Sequence, residues 1–149
     1  IYNSTDGQKG WGEFAQFFKN LMQQYVASST KNVVFTAHTL DMLNTAEAIM
    51  ETKVPIKGSL KNNGVESYFG VVIACKKMTL KKLEPYKSSL LNITPREEAL
   101  GFKYVFQTQV TKETINERLR GPIDLFTVDE TFIDNNIQLV LDRLTKYYA

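Results

Sequence analysis

The run Val33-Val34-Phe35-Thr36-Ala37 constrains the fold more than any other segment of the chain. It is short, β-branched and almost wholly apolar, and the polar stretch Ser28-Ser29-Thr30-Lys31-Asn32 sets it off from what precedes it. Such a run reads as a strand buried on both faces of a parallel sheet, where neither side meets water and the usual polar alternation disappears. Before it, Trp11, Phe14, Ala15, Phe18, Leu21, Met22 and Tyr25 recur at i, i+3 and i+4, which predicts an amphipathic helix over residues 11 to about 28. Helix, short loop and buried strand are half of a crossover unit, so the pattern points to an α/β fold.

The rest of the chain fits the same class. Residues 39 to 58 read as a long loop with some helix, because Met42, Leu43, Ala46, Ile49 and Met50 allow helix while Pro55 and Gly58 end it. A short helix entered through Ser59 leads to a strand at Val71-Val72-Ile73-Ala74-Cys75, and alternation predicts another over Tyr104 to Val110. A capped helical segment is expected over Thr111 to Arg120, then Gly121-Pro122 and a brief strand from Ile123 to Phe126. Asp134 is a candidate N-cap for a last helix carrying Ile137, Val140, Leu141, Leu144 and Tyr148 on one face. No repeat or low-complexity tract interrupts this order, and one α/β domain over residues 1–149 is the economical expectation.

Composition narrows the function classes. Eighteen Lys and Arg against sixteen Asp and Glu leave a net charge of +2, so any contact with nucleic acid has to come from a local patch. One cysteine, Cys75, and one histidine, His38, cannot build a disulfide or a cysteine zinc site, and no metal site is expected. No apolar stretch approaches membrane-spanning length, so no membrane association is expected and a cytoplasmic location is. Asn3-Ser4-Thr5 matches a glycosylation acceptor, but nothing else points to secretion. The polar start at Ile1 reads as the interior of something longer.

A search for self-contained catalytic motifs is negative: there is no phosphate-binding Gly-x-x-x-x-Gly-Lys loop, dinucleotide turn, nucleophile elbow or zinc-protease helix. What stands out is a placement. Thr36-Ala37-His38-Thr39 puts polar groups at the carboxyl end of the expected buried strand, where open α/β sheets bind their ligands. An imidazole there can bond a phosphate or a water, or simply cap loop backbone.

Gly7-Gln8-Lys9-Gly10-Trp11-Gly12-Glu13, then Asn32 through His38, then Gly58-Ser59-Leu60 before Val71-Val72-Ile73, resemble the later part of the RecA-like ATP-binding proteins of bacteriophages, which include single-strand-annealing recombination ATPases. Thr108-Gln109-Val110-Thr111-Lys112 and Arg118-Leu119-Arg120-Gly121-Pro122 look like the strand and basic segment that follow in such cores. The resemblance implies a P-loop NTPase core with a mostly parallel central sheet flanked by helices, assembled as a ring or filament in the bacterial host cytoplasm. It also implies ATP and Mg2+ as cofactors of the complete protein. The family's phosphate-binding loop and acidic magnesium strand lie before the matched region and are not in these residues, so this chain alone is expected to hold no nucleotide strongly.

On the same resemblance His38, with Thr39, is the sensor of the γ-phosphate, and residues 39 to 57 occupy the loop that meets single-stranded DNA, with Lys53, Lys57 and Lys61 as its phosphate contacts. Lys112, Arg118 and Arg120 are candidates for a cation that reaches a neighbouring subunit's phosphate. The denser cluster Lys76, Lys77, Lys81 and Lys82, with Tyr86 and Lys87 close by, can neutralise phosphates too, or serve only as a solvated edge. The loop is the expected DNA surface, because it follows the segment bearing His38. Trp11, Phe14, Phe17 and Phe18 are expected in the core, and Cys75 as a buried, inert thiol. The competing function is a non-catalytic α/β interaction module of a phage or bacterial assembly, alike only in element order.

Overall fold

The computed structural model describes residues 7–56, 60 and 64–149. The chain divides into two compact units, Ile1–Phe69 and Gly70–Ala149. The described elements are a mixture of helices and strands, as the coarse α/β expectation has it, and every strand pair among the described residues is antiparallel rather than parallel.

In the first unit helix α1 runs Gly7–Asn20 and continues into wider, π-helical winding over Leu21–Val26, where Ala27 N–H donates to the Met22 carbonyl at 3.0 Å. Its apolar spacing puts Ala15 and Met22 in the interior. Trp11, Phe14 and Phe18 form a ladder of ring contacts at 6.1 and 6.5 Å that ends on Tyr68 at 5.8 Å. Offset and edge contacts of this kind add to plain burial. Trp11 and Phe17 are nevertheless 44% and 61% exposed, so the stripe is only half covered, short of the core position expected for them.

Val33 to Ala37 is not a strand. The segment has no regular structure and is exposed, with the Phe35 ring 5.2 Å from that of Phe69. An apolar run records an affinity for burial and cannot supply the neighbouring strands that would bury it. Pairing begins later, in the region expected to be loop. β1 (Leu40–Asn44) and β2 (Ile49–Lys53) form an antiparallel hairpin in which Leu40 faces Lys53 and Asn44 faces Ile49. Asn44 Oδ1 accepts from Ala46 N–H at 3.1 Å, and Ala48 closes the turn at φ 54°, a left-handed position unusual for alanine. Glu66, in a tight turn over Val65–Tyr68, takes Val54 N–H at 2.8 Å and anchors the chain leaving β2. Of the short helix expected over residues 59–69, positions 59 and 61–63 lie outside the described residues, and the later part is only the tight turn over Val65–Tyr68.

The second unit is a three-stranded antiparallel sheet in the order β3 (Ala74–Thr79), β4 (Phe102–Gln107), β5 (Phe132–Asp134). β3 starts three residues later than expected and runs on through Lys76 and Lys77, while Val71–Ile73 carries only a single bridge from Val72 to Arg120. β4 is central, and its alternation buries Val105 and Gln107 completely. One face packs Leu83, Val105 and Phe132 with Tyr86, whose ring meets Phe132 edge-on at 4.7 Å. The other packs Ile133, Leu125, Phe126 and Phe106 under the last helix.

Two short helices and that last one complete the unit: α2 (Leu80–Leu83), α3 (Pro95–Leu100) and α4 (Ile137–Tyr148). α3 is fully signed at both ends, with Thr94 and Glu97 in a reciprocal capping box, Pro95 at its first position and Gly101 at φ 73° after its end. α4 is capped by Asn136, whose Oδ1 accepts from Gln138 N–H at 3.0 Å; Asp134, the expected cap, belongs to β5. Residues 111–126 are turns, with neither the capped helix nor the brief strand from Ile123.

Candidate functional site

Each unit holds part of the expected site. In the first, His38 and Thr39 are exposed and lead straight into β1. Because Leu40 pairs with Lys53, the hairpin brings the His38-Thr39 end and Lys53 to its open end, opposite the turn at residues 45–48. His38 therefore sits beside a two-stranded ribbon, and not at the carboxyl end of a buried strand as expected.

Lys53 Nζ lies 3.3 Å from Glu51 Oε2, and both side chains are mostly buried. The hairpin carries Asp41, Glu47 and Glu51 against this one lysine, so a phosphate reaching Lys53 must displace a carboxylate. Asp41 is bonded by Thr52 Oγ1 at 2.6 Å and Glu51 by Asn44 Nδ2 at 3.0 Å, which fixes both acids on the ribbon. Lys57 and Lys61 lie outside the described residues.

In the second unit Arg120 is exposed, but its backbone is fixed: Val72 N–H donates to the Arg120 carbonyl at 2.8 Å, and Arg120 N–H returns to the Val72 carbonyl at 3.2 Å. The residue stands on the wall of an open groove of about 630 Å³ whose lining includes Val71, Ile73, Ile123, Leu125 and Phe126. Ile123 and Val128, on the same groove, are 83% and 74% exposed. Asp124 holds the floor of the turn at φ 60°, a left-handed value that costs an aspartate little because its side chain can bond locally.

Arg118 is half-buried and engaged with other groups. Lys112 is exposed on a turn locked by Thr111 N–H to Thr114 Oγ1 at 2.8 Å. Gln107 ties that turn to the sheet, its Nε2 donating to the Gln109 carbonyl at 2.7 Å and to Thr114 Oγ1 at 2.8 Å. Of the three cations, Arg120 alone joins an exposed side chain to a backbone paired with a second segment.

The lysine cluster is dispersed by the fold. Lys76 is paired with Glu117, Lys82 lies 3.4 Å from Glu113, and Lys77 Nζ sits 3.8 Å over the Phe102 ring. Tyr86 is in the core and cannot stack on a base. Cys75, expected to be buried, is exposed and receives Asn135 Nδ2 at 3.3 Å.

Sequence reasoning missed the ion cluster of Lys103, Glu97 and Asp134. Lys103 Nζ lies 2.7 Å from Glu97 and 3.2 Å from Asp134 with its side chain only 8% exposed. Hydrogen bonding from Lys103, then from Thr94 N–H, pulls the Glu97 carboxyl below its ordinary pKa. Burial opposes the charge on Lys103, and Glu97 and Asp134 outweigh it, so its pKa ends above the ordinary lysine value. The cluster is architectural, tying α3 to β4 and β5. Among the described residues no group of His, Cys, Asp and Glu is arranged to hold a metal ion, and no helix is long and apolar enough to cross a membrane. No family model matches the chain, and no curated protein or solved structure matches it either.

Proposed function

We propose that this chain is the later part of a phage-type RecA-like ATPase core acting on single-stranded DNA in recombination or replication. The observation that carries the reading is Arg120. An exposed arginine on a pinned backbone, lining the same groove as the exposed apolar side chains Ile123 and Val128, has what a cation delivered across a subunit contact needs. The fixed backbone limits the freedom lost on engagement, and the apolar rim supplies contact area for a ring or filament of identical subunits.

On this reading the phosphate-binding loop and the acidic residues for Mg2+ lie outside these 149 residues, whose sequence contains no Gly-x-x-x-x-Gly-Lys loop. His38 and Thr39 meet the γ-phosphate side of the site. The β1–β2 ribbon, which begins two residues after His38, carries the response to Lys53, Lys57 and Lys61 on DNA.

Two measurements test the assignment. Calorimetric titration of the 149-residue chain with a magnesium–ATP analogue is expected to give at most weak binding, because no loop is present to cradle the β and γ phosphates; micromolar affinity would refute the placement of that loop outside the chain. In the longer protein that the reading requires, His38→Ala is expected to lower DNA-stimulated turnover more than ATP affinity. Unchanged stimulation would return His38 to a structural role.

The exposed run Val33-Val34 and the uncovered apolar rim of the groove also favour a second reading, a non-catalytic interaction module. Absence of ATP turnover in the longer protein, with stable capture of a protein partner, would select it.

A further inference from the structure

The sheet of the second unit leaves one stretch of a face uncovered. On that face β3 places Cys75, Lys77 and Thr79, all exposed, against Phe106, Tyr104 and Phe102 of β4. Phe106 is covered by the core beneath α4, whereas Tyr104 is 55% exposed. Lys77 is the direct cross-strand partner of Tyr104, and its Nζ rests on the neighbouring Phe102 ring. Phe102 in turn meets Tyr104 edge-on at 5.9 Å, an arrangement that supports the tyrosine ring from one side.

The geometry points to a second nucleic-acid contact here, in which an unpaired base stacks on Tyr104 and Lys77 neutralises an adjoining phosphate. Single-stranded nucleic acid is the occupant that this chemistry fits. A rigid exposed ring on a sheet offers a π-face that every base can use, and the nearby charge is positive: residues 75–87 hold Lys76, Lys77, Lys81, Lys82 and Lys87 against the single acid Glu84. The second unit as a whole carries twelve basic and ten acidic residues while the first carries six of each, so the excess charge of the chain lies on the unit that bears this face. Lys76 and Lys82 are already matched by Glu117 and Glu113, which leaves Lys77, directly across the strands from Tyr104, with Lys81 and Lys87 as the other exposed lysines of this stretch. A large apolar partner is a poorer fit, because Lys77 and Thr79 interrupt the aromatic surface.

This surface is built from residues other than His38 and the β1–β2 hairpin, and its test does not depend on ATP. The test uses the 149-residue chain without nucleotide and a fluorescent fifteen-residue oligothymidine, followed by anisotropy over a range of salt. Tyr104→Ala is expected to weaken binding roughly tenfold, about the stacking of one base, with little change in salt slope. Tyr104→Phe should bind as the parent does. Lys77→Ala should lower the slope of log affinity against log salt by about 0.7, one phosphate contact on a single strand. Photo-crosslinking of an iodouridine-substituted oligonucleotide to the unaltered chain should label Tyr104, which keeps the test independent of how the variants fold. Parental affinity in Tyr104→Ala, equal losses in Tyr104→Ala and Tyr104→Phe, or crosslinks confined to the hairpin region would each overturn the assignment. So would a Tyr104→Ala chain that loses self-association in sedimentation but keeps its affinity for the oligonucleotide, since the face would then be a contact between copies.

Discussion

Lys103→Ala is expected to destabilise the second unit by roughly 3 kcal/mol, a large share of the 5–15 kcal/mol that holds a typical domain together. The ammonium lies between Glu97 and Asp134, and removing it leaves two carboxylates facing a space they share. Breaking a buried ion pair generally costs about 3–5 kcal/mol, and the lower end applies here because Glu97 and Asp134 are 22% and 25% exposed and can regain some water. Asp134 also keeps the bonds it accepts from Asn92 N–H at 3.0 Å and Asn92 Nδ2 at 3.1 Å. Neutralising all three positions, as Lys103→Met with Glu97→Gln and Asp134→Asn, should restore most of the loss, since no unpaired charge then remains. Urea unfolding of the three chains measures both effects. Equal stability of Lys103→Ala and the parent would mean that the cluster is solvated and of little energetic consequence.

The same cluster sets a pH window. Glu97 has its folded pKa below the unfolded value of 4.5, so its contribution is complete above that pH and is lost as the pH falls through the lower, folded value. Lys103 is shifted upward from 10.5, so its contribution is complete below 10.5 and disappears as the pH rises through the folded value. The stability contributed by the cluster is thus level across neutral pH and declines at both extremes. In the neutralised triple variant both declines should be shallower.

This cluster also illustrates what a sequence conceals. Lys103 lies just before the strand expected over Tyr104 to Val110, whereas the observed strand is Phe102–Gln107 and includes it, and as a lysine it reads as a solvent-facing position. Its burial follows from the arrival of Glu97, and that arrival is encoded in plain sight: Thr94-Pro95 followed by Glu97 is a capping box, and Gly101 supplies the left-handed residue that ends so short a helix. That signal stands alone, because a six-residue helix is too short to show an apolar period.

The β1–β2 hairpin was hidden for a different reason. Its connection, Thr45-Ala46-Glu47-Ala48, contains none of the glycine or asparagine that marks a tight turn, and the left-handed position falls on Ala48. Long elements with a strong period were legible, namely the helix carrying Phe14 and Phe18 and the one carrying Val140 and Leu144. The run Val33 to Ala37 failed because apolarity alone does not provide a partner. For the site, Arg120 could be singled out from its neighbours Lys112 and Arg118 only when the pairing of its backbone with Val72, nearly fifty residues away in the chain, was known.

The larger functional effect is expected at that arginine. In the longer protein required by the proposed function, Arg120→Ala should reduce kcat for ATP hydrolysis by about 10³-fold or more, the scale on which a trans-acting arginine stabilises the charge of a transferring phosphoryl group. Nucleotide affinity should change little, since the interaction forms only as charge develops on the phosphate and so acts on turnover rather than binding. Arg120→Lys should recover only part of the rate, because a point charge on a flexible stem replaces a planar fork. The decisive comparison mixes two inactive proteins, Arg120→Ala and a variant whose phosphate-binding loop is disabled. The first still holds nucleotide and the second still offers Arg120, so mixed assemblies should regain activity that neither has alone. If the mixture stays inactive while each variant still assembles with the parent, Arg120 acts within its own subunit or not at all. If Arg120→Ala turns over at the parental rate, the guanidinium has no part in catalysis, and the groove with its rim of Ile123 and Val128 is left as a site of protein contact alone.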